Sequence, residues 1–394
     1  MIRVRIPPSP TGLLHIGTAR TALYNYLFAK QQKGKIIFRS EDTDKTRSKP
    51  EYEKDIIDGL HRLGMTWDEG PFRQSERTAV YRKYLEELLK KDAVYYCFCS
   101  KEDLERRKAE QMAKKFAPRY EGTCSALSSE ESRGRVAKGE PAVIRLRVPQ
   151  DQDLRFTDLV RGETVILSKE LDDFVIARRI DDSLYNFTVV VDDHDMEITH
   201  VIRGEDHISN TPKQILLYRA FGWSIPEFAH LPLILNEDRT KMSKRKNKVA
   251  LSDYLAEGYL PEALVNFFAL VGWNPGGGET NEIFSMKELI ARFDLAHVHK
   301  GGAIFDQKRL DWVNGEWIKR EIERDVDGFC KKNAAFISSA DPMVKKILQD
   351  PDFSGRFKKL SDIPEALNVF FSLPDYPDSL LLNEKFKITS DILK

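Results

Sequence analysis

Two short motifs contain residue types that bind and transfer phosphate. In the first, His15 and Gly17 follow a strand-like run and a proline-rich loop, and an amphipathic pattern begins beside them. The first amides of a helix and its dipole attract anions, an imidazole donates to a phosphoryl oxygen, and a glycine leaves space for a nucleotide. We therefore predict a nucleotide site, with an ordinary strand–helix turn carrying a surface histidine as the alternative.

The second motif is a cluster of cations. Lys241, Lys244 and Arg245 lie in one five-residue stretch. Such a density of positive charge suits a loop that closes over a departing pyrophosphate. In isolation the cluster is more typical of a solvated basic loop or a nuclear-localisation-like run. Its pairing with the first motif favours the catalytic interpretation.

Three of the four cysteines lie near one another in the sequence. Cys97, Cys99 and Cys124 are close, whereas Cys330 is isolated. Thiolates are strong zinc ligands, and a structural zinc normally has four ligands. The group indicates a metal site that needs one further donor, and three reduced, buried thiols without a metal are the alternative.

Sequence periodicity predicts the elements that position the first motif. Residues 2–6 predict a short strand, 16–33 an amphipathic helix and 35–39 a second strand. Such a βαβ unit has parallel strands and binds ligands at their carboxyl ends, where the first motif lies. Further along, 187–207 is rich in β-branched residues and predicts that strand structure resumes.

The predicted fold class is α/β, with a Rossmann-like parallel-sheet catalytic domain, an α+β insertion and a mostly helical C-terminal region. The insertion is predicted to begin near Tyr95, where close cysteines, a charged helix and turn-rich strands interrupt the pattern. From about Glu237 the pattern becomes mostly helical. This order of elements places the second motif in the helical part of the chain.

Composition sets the broad class of protein. The chain has 394 residues, of which 41% are apolar and 31% charged, as in a soluble multidomain protein. Its 62 basic and 62 acidic residues balance, so net charge favours neither nucleic acid nor membrane as a partner. The sequence has no signal-peptide layout and no apolar run of about 18 residues. We therefore expect a cytoplasmic protein with no membrane partner and no disulfides.

Seven ordered segments carry a family resemblance. "HIGT" and "KMSKR" resemble the two signatures of class I aminoacyl-tRNA synthetases. The wider match resembles the bacterial-type glutamyl-tRNA synthetase family over about the first 320 residues. The segments are "RIPPSPTGLLHIGTART", "FRSEDTDKTR", "GMTWDEGPFRQSER", "CFCS", "LYNFTVVVDDHDMEITHVIRGEDHISNTPKQ", "KMSKR" and "GYLPEALVNFFALVGW". The resemblance implies activation of L-glutamate by ATP and Mg²⁺ to a glutamyl adenylate, then transfer to tRNA(Glu); it leaves charging of tRNA(Gln) open.

The resemblance also implies site residues. The amino-acid pocket is expected to contain Arg5, Ser9, Glu41, Tyr185 and Arg203. A guanidinium satisfies both oxygens of a carboxylate. Arg5 and Arg203 are therefore the candidates for binding the two carboxylates of glutamate, and which arginine binds which carboxylate is left open. The expected ATP site consists of His15, Gly17, Thr18, His207 and Lys244, with Lys241 and Arg245 as supporting catalytic cations. The class-wide motif has a second histidine where this sequence has Thr18. This difference is expected to affect only one minor contact with phosphate.

Further implications concern metal, tRNA and domain boundaries. The resemblance implies Tyr120 as the fourth ligand of a structural Zn²⁺. Arg356 resembles an arginine that contacts the anticodon in some family members. Family members are usually monomers and continue past this length, so the distal anticodon-binding region is expected to be missing. The expected segments are 1–94 and 185–236 for the catalytic domain, 95–184 for an inserted acceptor-end-binding domain, 237–320 for a stem-contact domain carrying KMSKR, and 321–394 for a partial anticodon-binding domain.

Two other functions fit parts of this pattern. One is the shorter paralogue that glutamylates queuosine in tRNA(Asp), but that enzyme typically has a degraded second motif and ends at the core. The other is a non-catalytic tRNA-binding relative. Both signature motifs and the expected pocket residues occur together here, which favours the ligase.

Overall fold

The computed structural model describes residues 1–150, 153–168, 171–242, 249–337 and 342–371, apart from the side chain of Val369. The strands are β1 (Arg3–Ile6), β2 (Lys35–Ser40), β3 (Glu69–Arg73), β4 (Val94–Cys97), β5 (Val143–Leu146), β6 (Asp153–Asp158), β7 (Gly162–Leu167), β8 (Val175–Arg179), β9 (Asp182–Ser183), β10 (His200–Gly204), β11 (Glu227–Leu231), β12 (Ile234–Leu235) and β13 (Ala303–Ile304). The helices are α1 (Ile16–Gln31), α2 (Pro50–Arg62), α3 (Thr78–Lys90), α4 (Lys101–Ala113), α5 (Ser129–Ala137), α6 (Tyr185–Asp195), α7 (Thr211–Phe221), α8 (Leu251–Ala256), α9 (Pro261–Leu270), α10 (Met286–Arg292), α11 (Gln307–Lys332), α12 (Pro342–Leu348), α13 (Pro351–Ser354) and α14 (Asp362–Phe371).

Two sheets contain the parallel strands, and together they form the two halves of a nucleotide-binding fold. Strands β1, β2 and β3 pair in parallel, and so do β10 and β11. The two halves meet where the amide of Thr199, just before β10, donates to the carbonyl of Arg3 at 3.0 Å. Strand β6 joins β11 in parallel and forms an antiparallel hairpin with β7. The predicted α/β class with a Rossmann-like sheet is confirmed.

The first βαβ unit forms as the sequence predicts. Strand β1 ends before Pro7 and Pro8, because proline has no N–H to continue a ladder. The carbonyl of Pro8 accepts instead from the amide of Glu41 at 2.9 Å, which ties the loop to the end of β2. The imidazole of His15 then caps α1 by accepting from the amide of Thr18. These contacts fix the first motif at the carboxyl edge of the sheet.

One sequence prediction is wrong over much of its length. Of residues 187–207, predicted as strand, 187–195 belong to helix α6 and only 200–204 form strand β10. The run of valines, 189–191, misled the prediction because β-branched residues favour strands. Every residue from Phe187 to Asp193 is buried, and continuous burial in a helix gives the same unbroken apolar run as a buried strand.

A second, antiparallel sheet has the order β4-β5-β8-β9. It lies within the range that the sequence assigned to the insertion. Strands β6 and β7 from the same range join β10 and β11 instead, in the sheet of order β10-β11-β6-β7. The inserted range therefore contributes two strands to the sheet that carries Arg203.

The chain forms two compact units, Met1–Asp253 with Val265–Asp306, and Tyr254–Leu264 with Gln307 onward. The second unit is organised by Asn314, which is fully buried on α11. Its side chain accepts from the amide of Leu260 at 2.8 Å and donates to the carbonyl of Lys358 at 2.6 Å. Among the residues that the structure describes, no helix is long and apolar enough to cross a membrane.

Candidate active site

The carboxyl ends of β1, β2 and β10 open onto a cavity of about 730 Å³ in the first unit. Its wall includes the loop after β1, the first turns of α1 and the segments that follow β2, β10 and β12. The residues predicted from the sequence that line it are Arg5, Ser9, His15, Gly17, Thr18, Glu41, Tyr185, Arg203, His207 and Lys241. Side chains that are far apart in the sequence therefore share one cavity, as expected at the carboxyl edge of a parallel sheet.

The imidazole of His15 is held by the first turn of its own helix. Its Nδ1 accepts from the amide of Thr18 at 3.2 Å, and its Nε2 lies 2.9 Å from the hydroxyl of Thr18. An Nδ1 that accepts leaves the ring proton on Nε2, the nitrogen suited to donate to a phosphoryl oxygen. Thr18 thus fixes the ring through both nitrogens, a larger role than the sequence predicted.

Gly17 makes room for this ring. A β-carbon at position 17 would lie 3.1 Å from Nδ1 and 3.2 Å from Cε1 of His15. These separations are closer than ordinary van der Waals contact, so a side chain here would displace the imidazole. The sequence analysis predicted space for a nucleotide; the structure shows in addition that the glycine accommodates the histidine.

The second motif is described only in part. Lys244 and Arg245 lie outside the described residues, which omit 243–248. Lys241 lines the cavity, with its Nζ 3.8 Å from a carboxylate oxygen of Asp206. On the other side of the omitted stretch, the carbonyl of Val249 accepts from the amide of Ile16 at 3.0 Å. The chain on both sides of the motif therefore adjoins the cavity.

Arg203 is a buried cation with uncharged partners. Only 4% of the residue is exposed. Its Nε donates to Nε2 of His230 at 3.1 Å, Nη1 donates to the amide oxygen of Gln214 at 2.8 Å, and Nη2 donates to the hydroxyl of Thr211 at 2.8 Å. Burial, with a contribution from the charge of Arg5, lowers the pKa of this guanidinium, while Tyr185, Asp193 and Glu41 oppose the shift. A carboxylate ligand in the cavity would form a direct ion pair with it.

Arg5 and Glu41 belong to a denser charge network. Asp193 accepts from Nε of Arg5 at 3.3 Å and from Nη1 of Arg39 at 2.7 Å. Arg39 also donates to Glu41 at 3.0 Å through Nη2. Burial raises the pKa of Glu41, while Arg39 and Arg5 oppose that rise. The network fixes the Glu41 carboxylate at the cavity wall, beside a cationic support.

Tyr185 and His207 form a hydrogen-bonded pair in the cavity wall. The Tyr185 hydroxyl lies 3.0 Å from Nδ1 of His207. Burial raises the pKa of Tyr185 to about 12, and burial together with the charge of Arg203 lowers the pKa of His207 to about 4. At neutral pH the tyrosine therefore keeps its proton and donates it to an uncharged imidazole. This pair presents polar, uncharged atoms to a ligand.

Two buried arginines of the site were missed by the sequence analysis. Arg39 on β2 supports Glu41, and Arg20 on α1 donates to the carbonyls of Pro232 and Val271. A charged residue inside the apolar run of β2 is a signal that could have identified Arg39, because an arginine buried in a strand needs a partner. No comparable signal marks Arg20, since a basic residue in a helix is ordinarily solvated.

The predicted metal ligands converge in the inserted range. The three Sγ atoms of Cys97, Cys99 and Cys124 lie within 4.8 Å of one another. The hydroxyl of Tyr120 is 3.2 Å from Sγ of Cys97 and 3.8 Å from Sγ of Cys99. Ligands bound tetrahedrally at about 2.3 Å from zinc are about 3.8 Å apart, so this donor set fits the ion.

Arg356, the predicted anticodon contact, lies in the second unit. It is exposed, and its Nε donates to the carbonyl of Asp352 at 3.0 Å. This hydrogen bond holds the guanidinium against its own turn, next to α13.

The parallel sheet, its carboxyl-edge cavity and the imidazole capping α1 define the catalytic domain of a class I tRNA synthetase. Residues 1–312 match the family described as "tRNA synthetases class I (E and Q), catalytic domain". The chain therefore belongs to this family, and the resemblance predicted from the sequence is confirmed.

Individual relatives extend the comparison beyond the catalytic domain. The chain is 45% identical over 385 residues to a glutamate–tRNA ligase from Carboxydothermus hydrogenoformans, covering 94% of the chain and 80% of that relative. It is 44% identical over 403 residues to a glutamate–tRNA ligase from Aquifex aeolicus, covering 100% of the chain and 84% of the relative. A crystal structure of a glutamate tRNA ligase from Elizabethkingia meningosepticum in complex with its amino acid superposes with a TM-score of 0.86 at 35% identity, covering 98% and 85% of the two chains.

Proposed function

We propose that this protein is a glutamate–tRNA ligase, which uses ATP to attach L-glutamate to the 3′ end of tRNA(Glu) through a glutamyl adenylate. The observation that carries the proposal is the buried guanidinium of Arg203, hydrogen-bonded to uncharged side chains, in the same cavity as His15. A site of this kind selects a carboxylate substrate next to a phosphate site. Relatives named glutamate–tRNA ligase align with nearly the whole chain, and no observation favours the queuosine-modifying or non-catalytic alternative.

In the proposed amino-acid site, complementary charges orient glutamate. Arg203 and Arg5 receive its carboxylates, and Glu41 with Ser9 receives its ammonium group. Tyr185 adds a hydroxyl at the wall of the pocket. Glutamine would leave a guanidinium N–H unpaired in a buried site, which is costly, so the same contacts discriminate between the two amino acids.

In the proposed ATP site, the Nε2 proton of His15, which faces the Thr18 hydroxyl in this structure, is donated to the α-phosphate as negative charge develops on it. Lys244 stabilises the departing pyrophosphate, with Lys241 and Arg245 as supporting cations and His207 and Thr18 nearby. Mg²⁺, when bound with ATP, neutralises phosphate charge. The carboxylate of glutamate attacks the α-phosphorus, the bond to pyrophosphate breaks, and the terminal adenosine of the tRNA then takes the glutamyl group from the adenylate.

Glutamate-dependent ATP–pyrophosphate exchange, measured with tRNA(Glu) present, tests the proposed function. We expect exchange with glutamate and none with glutamine. Lys244→Ala is expected to reduce exchange by about two orders of magnitude or more, because one preorganised charge contact in the transition state is lost, while tRNA binding is largely retained. Lys90→Ala, which removes an exposed lysine from the end of α3, is the matched control. Absence of exchange in the wild-type protein, or equal loss of exchange and tRNA binding in Lys244→Ala, would contradict the proposal.

The remaining assignments concern tRNA and location. We propose that 95–184 binds the acceptor end, that 237–320 contacts the stem, and that 321–394, including Arg356, faces the anticodon. The proposed working form is a cytoplasmic monomer. Charging assays with tRNA(Glu), tRNA(Gln) and tRNA(Asp) compare the three candidate acceptors directly.

We further propose that Cys97, Cys99, Cys124 and Tyr120 hold a structural Zn²⁺ in the inserted range. The ion would supply no chemistry to the reaction; it would link segments separated by 25 residues between Cys99 and Cys124. Closing a loop of that length restricts the unfolded chain and so stabilises the folded one.

Replacement of one thiolate is expected to remove the zinc. Cys124→Ser should reduce bound zinc from about one ion per chain to well below half of that, measured by atomic emission, and should lower the melting temperature by several degrees, since a structural metal site contributes folding free energy. Cys330→Ser, on α11 and outside the cluster, is the control. Wild-type protein purified without zinc, with a melting temperature that chelators do not change, would favour the metal-free alternative.

A further inference from the structure

Three adjacent strands each contribute one member of a buried polar chain that ends at Arg203. Asp158 ends β6 and is the register partner of Phe228 on β11. His230, two residues further along β11, is the register partner of Arg203 on β10. Because the three strands are parallel, their carboxyl ends bring these side chains together beside the cavity.

We propose that Asp158 and His230 are positioning residues for amino-acid binding, an inference that rests on the proposed role of Arg203 in the ligase. In this proposal the Asp158 carboxylate fixes one tautomer of the His230 imidazole, and that tautomer holds the guanidinium of Arg203 in the cavity wall. Neither residue lines the cavity or touches the substrate.

The hydrogen bonds fix which atom donates and which accepts at each step from Asp158 through His230 to Arg203. One carboxylate oxygen of Asp158 accepts from the amides of Val160 and Arg161 at 3.0 and 2.9 Å. The other lies 2.6 Å from Nδ1 of His230. An acceptor-only carboxylate requires the proton on Nδ1, which leaves Nε2 as an acceptor. That nitrogen is 3.1 Å from Nε of Arg203, a group that can only donate.

Because they are buried, these three side chains depend on one another for their hydrogen bonds. Asp158, His230 and Arg203 are 1%, 0% and 4% exposed, so water cannot replace a lost partner. Burial lowers the pKa of His230, in agreement with an uncharged ring. The hydrogen bond from His230 keeps the pKa of Asp158 below its usual value despite its burial, in agreement with an ionised carboxylate.

The electrostatic consequence is specific to a substrate that carries a carboxylate. If Asp158 contacted Arg203 directly, it would neutralise the guanidinium and weaken its attraction for a ligand. The uncharged imidazole between them orients the guanidinium without neutralising it. The positive charge therefore remains available to the substrate, whereas a merely structural role would be served as well by apolar residues.

Asp158→Asn tests the tautomer argument. In one orientation the asparagine NH₂ faces Nδ1 of His230, so the ring proton is forced onto Nε2, where it opposes an N–H of Arg203. In the flipped orientation the NH₂ faces the backbone N–H groups of Val160 and Arg161. Either orientation disrupts the chain. We expect KM for glutamate in the exchange assay to rise about 10- to 100-fold, as expected when a binding group is displaced by about 1 Å, while KM for ATP changes less than about twofold.

His230→Leu removes the imidazole and retains an apolar side chain of similar volume, so the protein should fold. We expect the same selective rise in KM for glutamate, together with a lower melting temperature, because the substitution leaves Asp158 and Arg203 each without one buried hydrogen-bond partner. His230→Gln restores an acceptor for Arg203 and should recover part of the affinity. His200→Leu, which replaces a half-buried histidine on β10, is the control and should leave both KM values unchanged.

Two outcomes overturn the inference. One is an active wild type in which Asp158→Asn and His230→Leu leave KM for glutamate unchanged, raise both KM values together, or lower only kcat and melting temperature. The other is independent of activity: ring ¹⁵N shifts of His230, assigned by comparison with His230→Leu, must show the proton on Nδ1 in the wild type. A charged ring or a proton on Nε2 would refute the tautomer argument. Failure of the ligase function itself appears separately, as absence of glutamate-dependent exchange in the wild type.

Discussion

Arg203→Ala is expected to raise KM for glutamate by roughly 30- to 4,000-fold with little change in KM for ATP. The estimate follows from the cost of about 2–5 kcal/mol for truncating one partner of a buried, hydrogen-bonded charge pair. The residue is 4% exposed and its hydrogen-bond partners among the described residues are uncharged, so a substrate carboxylate would form its direct ion pair. Steady-state exchange kinetics with varied glutamate and varied ATP measure the effect.

The matched control for this prediction is Arg3→Ala. Arg3 is also largely buried and lies on a parallel strand, β1, but its guanidinium makes a two-pronged ion pair with Glu69 and does not line the cavity. Loss of this pair should affect stability and leave KM for glutamate unchanged. An Arg203→Ala protein with wild-type KM for glutamate would remove Arg203 from the amino-acid site.

His15→Ala is expected to lower kcat for exchange by about 10²- to 10³-fold, the usual cost of losing one donor to charge that develops in a transition state. KM for glutamate should change little, because the imidazole is assigned to the phosphate. The substitution also removes the N-cap of α1, which by itself costs about 1 kcal/mol of stability. A single variant therefore mixes two effects.

His15→Ser separates these two effects. A serine caps a helix well but is too short to reach where Nε2 of the imidazole lies. We expect His15→Ser to have a melting temperature near that of the wild type and kcat as low as that of His15→Ala. Recovery of kcat in His15→Ser would assign the loss in His15→Ala to the helix cap and remove His15 from the chemistry.

The site illustrates which residues a sequence can identify and which it cannot. His15, Gly17 and Lys241 belong to motifs whose residue types and spacing already indicate phosphate chemistry. The sequence motifs do not single out Arg39 or His230, because their importance follows from what lies next to them in space. Arg39 donates to Asp193, 154 positions away, and His230 contacts Arg203 on another strand, so no local pattern contains either contact.

The error over α6 has a related cause. Local preference of three consecutive valines favours a strand, yet the segment is buried from Phe187 to Asp193 and forms a helix. When a helix is surrounded on most sides, its sequence loses the polar stripe that would reveal a period of 3.6 residues. Packing against the rest of the domain then decides between helix and strand.

The sequence by itself determined the family, the α/β class, the first βαβ unit and the residue types that line the cavity, because these depend on local motifs, spacing and periodicity. Only the tertiary structure decided that Asp158 and His230 stand behind Arg203, that Arg39 supports Glu41, and that Gly17 makes room for the His15 ring. Asp158, His230 and Arg203 come from strands that are distant along the chain and meet in a buried interior, in which each polar atom must find its partner. The contacts of Arg39 with Glu41 and of Gly17 with His15 join near neighbours, and the folded backbone sets the side-chain directions that bring them together.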